Sequence, residues 1–181
     1  IQAAETLSRR AYQQPMVISH NDPVSKRMTL SFAQQWQKNT GKTPEIFYFN
    51  AGKNMQKSLQ ASLDVNQSIA RIKELKRRMK QTLKTESRNR RDIDMIYIIG
   101  NAKQTRLLKP YIDVNISPFA DLIPVFASSR SHSAKVDRQG TRDLSGLTFT
   151  EIPWLLASKQ QNKPLAALND QLWPQRSDSL Q

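Results

Sequence analysis

The chain has 181 residues, 38% of them hydrophobic and 24% charged, with a formal net charge of +13. That length suits one domain, or one lobe of a larger one, and the composition is globular rather than disordered. There is no cysteine, which excludes a disulfide scaffold, a thiolate metal site and a cysteine nucleophile, and no apolar run approaches the roughly 20 residues of a membrane span.

Residues 3 to 13 read as helix, with Ala4, Leu7, Ala11 and Tyr12 toward one side. The segment has no basic start, apolar centre or cleavage site, so it reads as the interior of a longer polypeptide with any targeting signal upstream. Pro15 ends it, and Met16, Val17 and Ile18 form a short buried strand. In His20-Asn21-Asp22-Pro23 an Asn or Asp can cap a helix whose first turn accepts Pro23. That helix runs to about Lys38 with a stripe of Val24, Met28, Phe32, Ala33 and Trp36, and Gly41 stands where a left-handed cap is easiest.

Glu45 to Phe49 reads as the second strand and Met55 to Leu63 as helix. Val65, Ile69, Ile72, Leu75, Met79 and Leu83 then recur every three or four residues, the pattern of an amphipathic helix. Residues 95 to 100 make the clearest strand, continuously apolar as a central strand covered on both faces must be. Asn101 can cap a helix from Ala102 to Ile112, which Pro110 should bend or end early. Residues 123 to 127 give a fourth strand and residues 147 to 150 a possible fifth. Between them, 128–146 is a long polar loop. Lys163 to Trp173 closes the chain as an amphipathic helix.

This alternation predicts an α/β fold with a doubly wound, mostly parallel sheet. In such sheets ligands meet the loops at the carboxyl ends of the strands. The rule selects a candidate rim of His20, Asn21, Asp22, Asn50, Asn101, Ser128, Ser129, Arg130 and His132. The N–H groups at the start of the helix after Asp22 could receive an anion, though capping explains the same residues. The hydroxyls and guanidinium of 128–132 would suit a carboxylate or carbohydrate, though they also fit ordinary loop composition. Trp154 and Trp173, each beside a proline, read as packing residues before they read as stacking platforms.

Ten Lys or Arg against Glu74 and Glu86 lie between Arg71 and Arg91, so the charge is concentrated. Within this run Lys76, Arg77, Arg78 and Lys80 form a candidate basic docking patch for an acidic partner, against the plainer reading of a solvated helix face. The run has no aromatic residue for base stacking and no zinc ligands, so nucleic acid is not expected as a partner. Asp92 and Asp94 stand before the central strand, at the end opposite the rim, where they should answer nearby arginines or cap the strand entry.

Catalytic signatures are missing. The five glycines compose no dinucleotide or phosphate loop, and there is no nucleophile elbow and no paired-histidine metal motif. Ser129, His132 and Asp137 could be assembled into a nucleophile, base and acid, but closeness in sequence is poor evidence for one. No enzyme activity, no cofactor and no metal are expected.

Two stretches carry a resemblance. Residues 90–98 with Gln104, 106–111 and 124–131 form one, and Leu144-Ser145-Gly146-Leu147-Thr148-Phe149-Thr150-Glu151-Ile152-Pro153-Trp154-Leu155 the other. Together, and with residues 69–75, they resemble the carboxyl-terminal domain of the LpoA-type outer-membrane lipoproteins that activate a class A penicillin-binding protein. The resemblance implies a type I periplasmic-binding-protein fold of two doubly wound lobes, of which this chain is mainly the second. It implies a periplasmic position, with a lipid anchor outside this chain, and a non-catalytic stimulation of peptidoglycan synthesis by contact with the synthase, with peptidoglycan as a further partner. The alternative on the same fold is a periplasmic receptor for an amino acid, sugar or muropeptide. The resemblance transfers no contact residues.

Overall fold

The structure, a computed structural model, describes residues 1–10, 12–50, 52, 55–79, 84–116, 121–133, 138–151 and 163–172. In chain order the elements are α1 (Gln2–Ser8), β1 (Pro15–His20), α2 (Pro23–Thr40), β2 (Glu45–Phe49), α3 (Met55–Ser62), α4 (Val65–Met79), β3 (Met95–Ile99), α5 (Ala102–Asn115), β4 (Val125–Ala127), α6 (Arg138–Asp143), β5 (Leu147–Phe149) and α7 (Lys163–Leu172), with a 3-10 turn at Ser129–Ser131.

The sheet has five strands in the order β2-β1-β3-β4-β5. All four pairings are parallel, as the apolar runs predict, with Val17 opposite Tyr97 and Ile98 opposite Ala127 in register. Side chains alternate along each strand, so each strand feeds two cores. Met16, Ile18, Ile96, Ile98, Val125 and Ala127 pack with Met55 and Leu59 of α3, Val65 of α4, and Leu108 and Ile112 of α5. Val17, Met95, Tyr97, Ile99 and Phe126 face the other way, against Ala4 and Leu7 of α1 and Phe32 and Trp36 of α2. There Phe32 stacks on Tyr97 with ring centroids 4.4 Å apart. Burial pushes the Tyr97 phenol up to about 12, and a hydrogen bond with Thr150 offsets only part of that.

Several elements differ from the sequence expectation, each for a physical reason. The stripe of α2 starts with hydroxyls: Ser25 and Thr29 are buried while Val24 is exposed, because the first turn lies under the polar rim. Pro110 neither ends nor breaks α5, which continues to Asn115. Leu108 and Ile112 on either side of it are fully buried, and that packing outweighs the roughly 3 kcal/mol of a helical proline. Residues 128–146 are not one open loop, since they contain the 3-10 turn and α6. The largest departure is α4. Only Val65 and Ser68 are buried, while Ile69, Leu75 and Met79 of its apolar stripe are 36%, 46% and 48% exposed. The helix packs on α3 through its first turn, and its later turns are left largely exposed.

Gly41 caps α2 with a φ of 74°, the left-handed conformation expected of it. At the amino end of the sheet, Arg90 donates to Asp92 at 2.8 Å and pairs with Glu45 of β2 at 2.8 Å. Asp94 accepts the backbone N–H groups of Gln13 and Gln14. Both carboxylates thus do the structural work foreseen for them. Ala11, Leu83, Trp154 and Trp173 lie outside the described residues. Among those described, no helix is long and apolar enough to cross a membrane.

The contrast between core and projecting helix is measurable. Ile98→Ala should lower the unfolding free energy by about 2–5 kcal/mol. Leu75→Ala, on the exposed end of α4, should change it by no more than about 0.5 kcal/mol. Urea titration of both variants checks the pair.

Candidate functional rim

The strand order reverses between β1 and β3, so the chain leaves these neighbours toward opposite faces, and their carboxyl ends border the crevice that such folds use for ligands. The sheet ladder runs past the strand ends into the rim. Asn21 donates its N–H to Phe49 O at 2.9 Å, and Ser128 donates to Ile98 O at 3.0 Å. The loop after β1 is thereby pinned to the end of β2, and the loop after β4 to β3.

Asp22 is the hub. As N-cap of α2 it accepts from Val24 N at 3.0 Å and Ser25 N at 2.9 Å through Oδ1. Its Oδ2 accepts the Ser25 hydroxyl at 2.6 Å and lies 2.8 Å from His20 Nδ1. From the loop after β4, Arg130 donates to Ser25 Oγ at 2.8 Å and stands 3.6 Å from Asp22 Oδ1. Arg130 and Ser25 are 105 positions apart, and the contact spans β3. Partial burial alone would raise the Asp22 carboxyl. The Ser25 hydroxyl and N–H, His20 and the Arg130 charge outweigh that and hold it well below the ordinary carboxylate value.

The remaining rim candidates fall into four places. Asn101 is the N-cap of α5 in a reciprocal box, accepting from Gln104 N at 2.9 Å while its own N–H meets Gln104 Oε1 at 2.8 Å. Ser128 is buried with its Oγ unpartnered among the described residues, and Ser129 opens the 3-10 turn. His132 turns away, to within 2.6 Å of Glu151 and into a stack on Phe149 of β5. Asn50 is exposed at the β2 edge. The structure thus gathers His20, Asp22 and Arg130 into one cluster and keeps His132 and Asn50 apart from it. Of the set Ser129, His132 and Asp137, the last lies outside the described residues.

Sequence reasoning missed Ser25, which joins Asp22 to Arg130, and Glu151, the partner of His132. Ser25 had a signal, being the third residue of a helix capped by Asp22. Glu151 had none, because only the fold brings it to position 132. Ser131, within the 128–132 stretch of the predicted rim, has a structural tie. Its hydroxyl meets Thr105 Oγ1 at 2.8 Å and Gly100 O at 3.3 Å, tying the 3-10 turn to the start of α5.

Of the basic patch, Arg77 and Arg78 both fold back on Glu74, at 2.9 and 2.7 Å. These two hydrogen bonds hold the Glu74 carboxyl below its usual range. Lys76 has no ion pair among the described residues, and Lys80 lies outside them.

The sequence model of the LppC lipoprotein family matches residues 1–181. The chain belongs to that family. A relative from Photobacterium profundum, named penicillin-binding protein activator LpoA, is 33% identical over 98% of this chain. The chain spans 28% of the length of that relative. In solved structures it superposes on the carboxyl-terminal domain of Haemophilus influenzae LpoA, described as a regulator of PBP1A, with a TM-score of 0.61 at 17% identity. That match covers 95% of this chain and 44% of the other. A branched-chain amino acid ABC-transporter protein from Rhodospirillum rubrum gives a TM-score of 0.61 at 13% identity, covering 96% and 42%. At these identities the superpositions establish the fold, that of the periplasmic binding proteins.

The sign of the Asp22 shift sets a pH dependence. A carboxyl depressed in the folded chain contributes stability above its ordinary value of about 4, and loses it as pH falls toward the folded value. Asp22→Ala should cost about 1–2 kcal/mol near neutral pH. Wild type should exceed Asp22→Asn in stability near pH 7, by a margin that shrinks steadily below about pH 4. Urea unfolding across that range checks both.

Proposed function

We propose that the protein is a non-catalytic regulator of peptidoglycan synthesis that activates a class A penicillin-binding protein by direct contact. The observation that carries this reading is the match, along 98% of the chain, to a relative named for that activation. Two features of the rim support the absence of catalysis. Its histidines stand in separate pairs, His20 with Asp22 and His132 with Glu151. Arg130 is already engaged by Ser25 and Asp22, and the Asp22 carboxyl that accepts the Ser25 hydroxyl is held far below the range a general base needs near neutral pH.

In this reading the chain supplies mainly the second lobe of a two-lobed domain, in keeping with its 44% share of the Haemophilus influenzae carboxyl-terminal domain. The protein sits in the periplasm, held to the outer membrane by a lipid outside this chain. Its excess of positive charge steers it toward acidic groups on the synthase or the wall. The receptor reading draws on the same rim, at the point where strand order reverses.

Purified full-length protein should raise the rate at which the synthase polymerises or cross-links lipid-linked substrate, with a dependence on concentration that saturates. An unchanged rate across that titration would contradict the reading. Amino acids, sugars and muropeptides should leave the melting temperature unmoved; a rise with any of them would favour the receptor instead.

A further inference from the structure

The exposed end of α4 is built in three rows of side chains spaced by four: Val65-Ile69-Lys73, Ser68-Ile72-Lys76 and Arg71-Leu75-Met79. Each row carries one cation, and together they enclose an apolar strip of Ile69, Ile72, Leu75 and Met79. The described residues leave the strip partly open, with Leu75 and Met79 close to half exposed. On the opposite side Glu74 takes up Arg77 and Arg78, so part of the charge on the back of the helix is offset. Among the described residues Arg71, Lys73 and Lys76 form no ion pair, and their charge is left around the strip.

The root of the helix is fixed. Arg88 N–H donates to Ser68 Oγ at 2.9 Å, and Arg90 N–H donates to Leu63 O at 3.0 Å. Val65 and Ser68 are buried beside α3. The last two turns are therefore presented in a set direction, and little ordering remains to be done on binding.

We propose that this end of α4 is a docking element that lays its apolar strip into a groove on the penicillin-binding protein edged with carboxylates. The inference rests on the activator reading and names the surface that would serve it. Charge complementarity selects the occupant, because three unpaired cations around an apolar strip match a groove with an acidic border. A second copy of this chain, at +13, would meet the strip with like charge. A lipid surface is the weaker match, since the strip has no aromatic side chain to sit at a headgroup boundary.

The test uses the full-length protein and the class A penicillin-binding protein of the same organism, with variants Leu75→Ser/Met79→Ser and Lys73→Glu/Lys76→Glu. All four positions are exposed or at a helix surface, so the circular dichroism and melting temperature of each variant should match wild type. The expected result is an affinity at least about ten-fold weaker for each variant. The half-saturating concentration for stimulation should rise in step, and the charge variant should lose much of the salt dependence. Variants that bind as tightly as a wild type that stimulates would overturn the proposal and leave the activator reading standing. A wild type that neither binds nor stimulates would end both. Wild-type capture by phosphatidylglycerol vesicles, lost in the variants while synthase affinity holds, would reassign the strip to lipid. Loss of self-association in sedimentation, again with synthase affinity unchanged, would reassign it to a second copy.

Discussion

The parallel pairing of β1 with β3 is the constraint from which the rest follows. Once these strands lie side by side, the connection through α2 to β2 and the connections from β3 onward must lie on opposite faces. Alternate side chains then enter two separate cores, which is why Val17 meets Phe32 and Trp36 while Met16 and Ile18 meet α3 and α5. The same pairing collects the polar loops at one end of the sheet. The Arg90 ion pairs and the Asp94 hydrogen bonds close the other end.

At the polar end, His20, Asp22, Ser25 and Arg130 satisfy one another. Asp22 serves as helix cap, as hydroxyl acceptor and as ion partner at once, and Arg130 reaches it over β3 through Ser25. A carboxylate so occupied is held ionised, which suits a clasp between two loops. General acid–base work calls for the opposite, a group whose pKa sits near the working pH. The cluster therefore reads as a clasp that holds the loops after β1 and β4 together.

Much of the fold was legible because its signals are local. Continuous apolar runs locate β1 and β3, Asn101 and Gly41 mark helix ends, and Asp22 announces α2. The failures came where context beyond the segment decides. The three-and-four spacing from Val65 to Met79 correctly indicates a helix with an apolar face, but periodicity cannot say what that face meets, and here most of it meets solvent. Pro110 was overruled by the burial of Leu108 and Ile112. The buried hydroxyls of Ser25 and Thr29 look like surface residues until the rim above them is known. The cross-rim partners, Arg130 for Ser25 and Glu151 for His132, depend on the fold itself, and no spacing encodes them.

A buried parallel sheet, a clasped rim and a helix with an exposed far end make up the chain. In the proposed reading, recognition falls to the projecting helix while the sheet serves as an unchanging platform. Hydrogen exchange of the full-length protein, alone and saturated with the penicillin-binding protein, addresses that claim directly. The account predicts slower exchange of the α4 amides in the complex, with β1 and β3 slow and unaltered in both states. Protection confined to the loops around Asp22 and Arg130, with α4 unchanged, would contradict it.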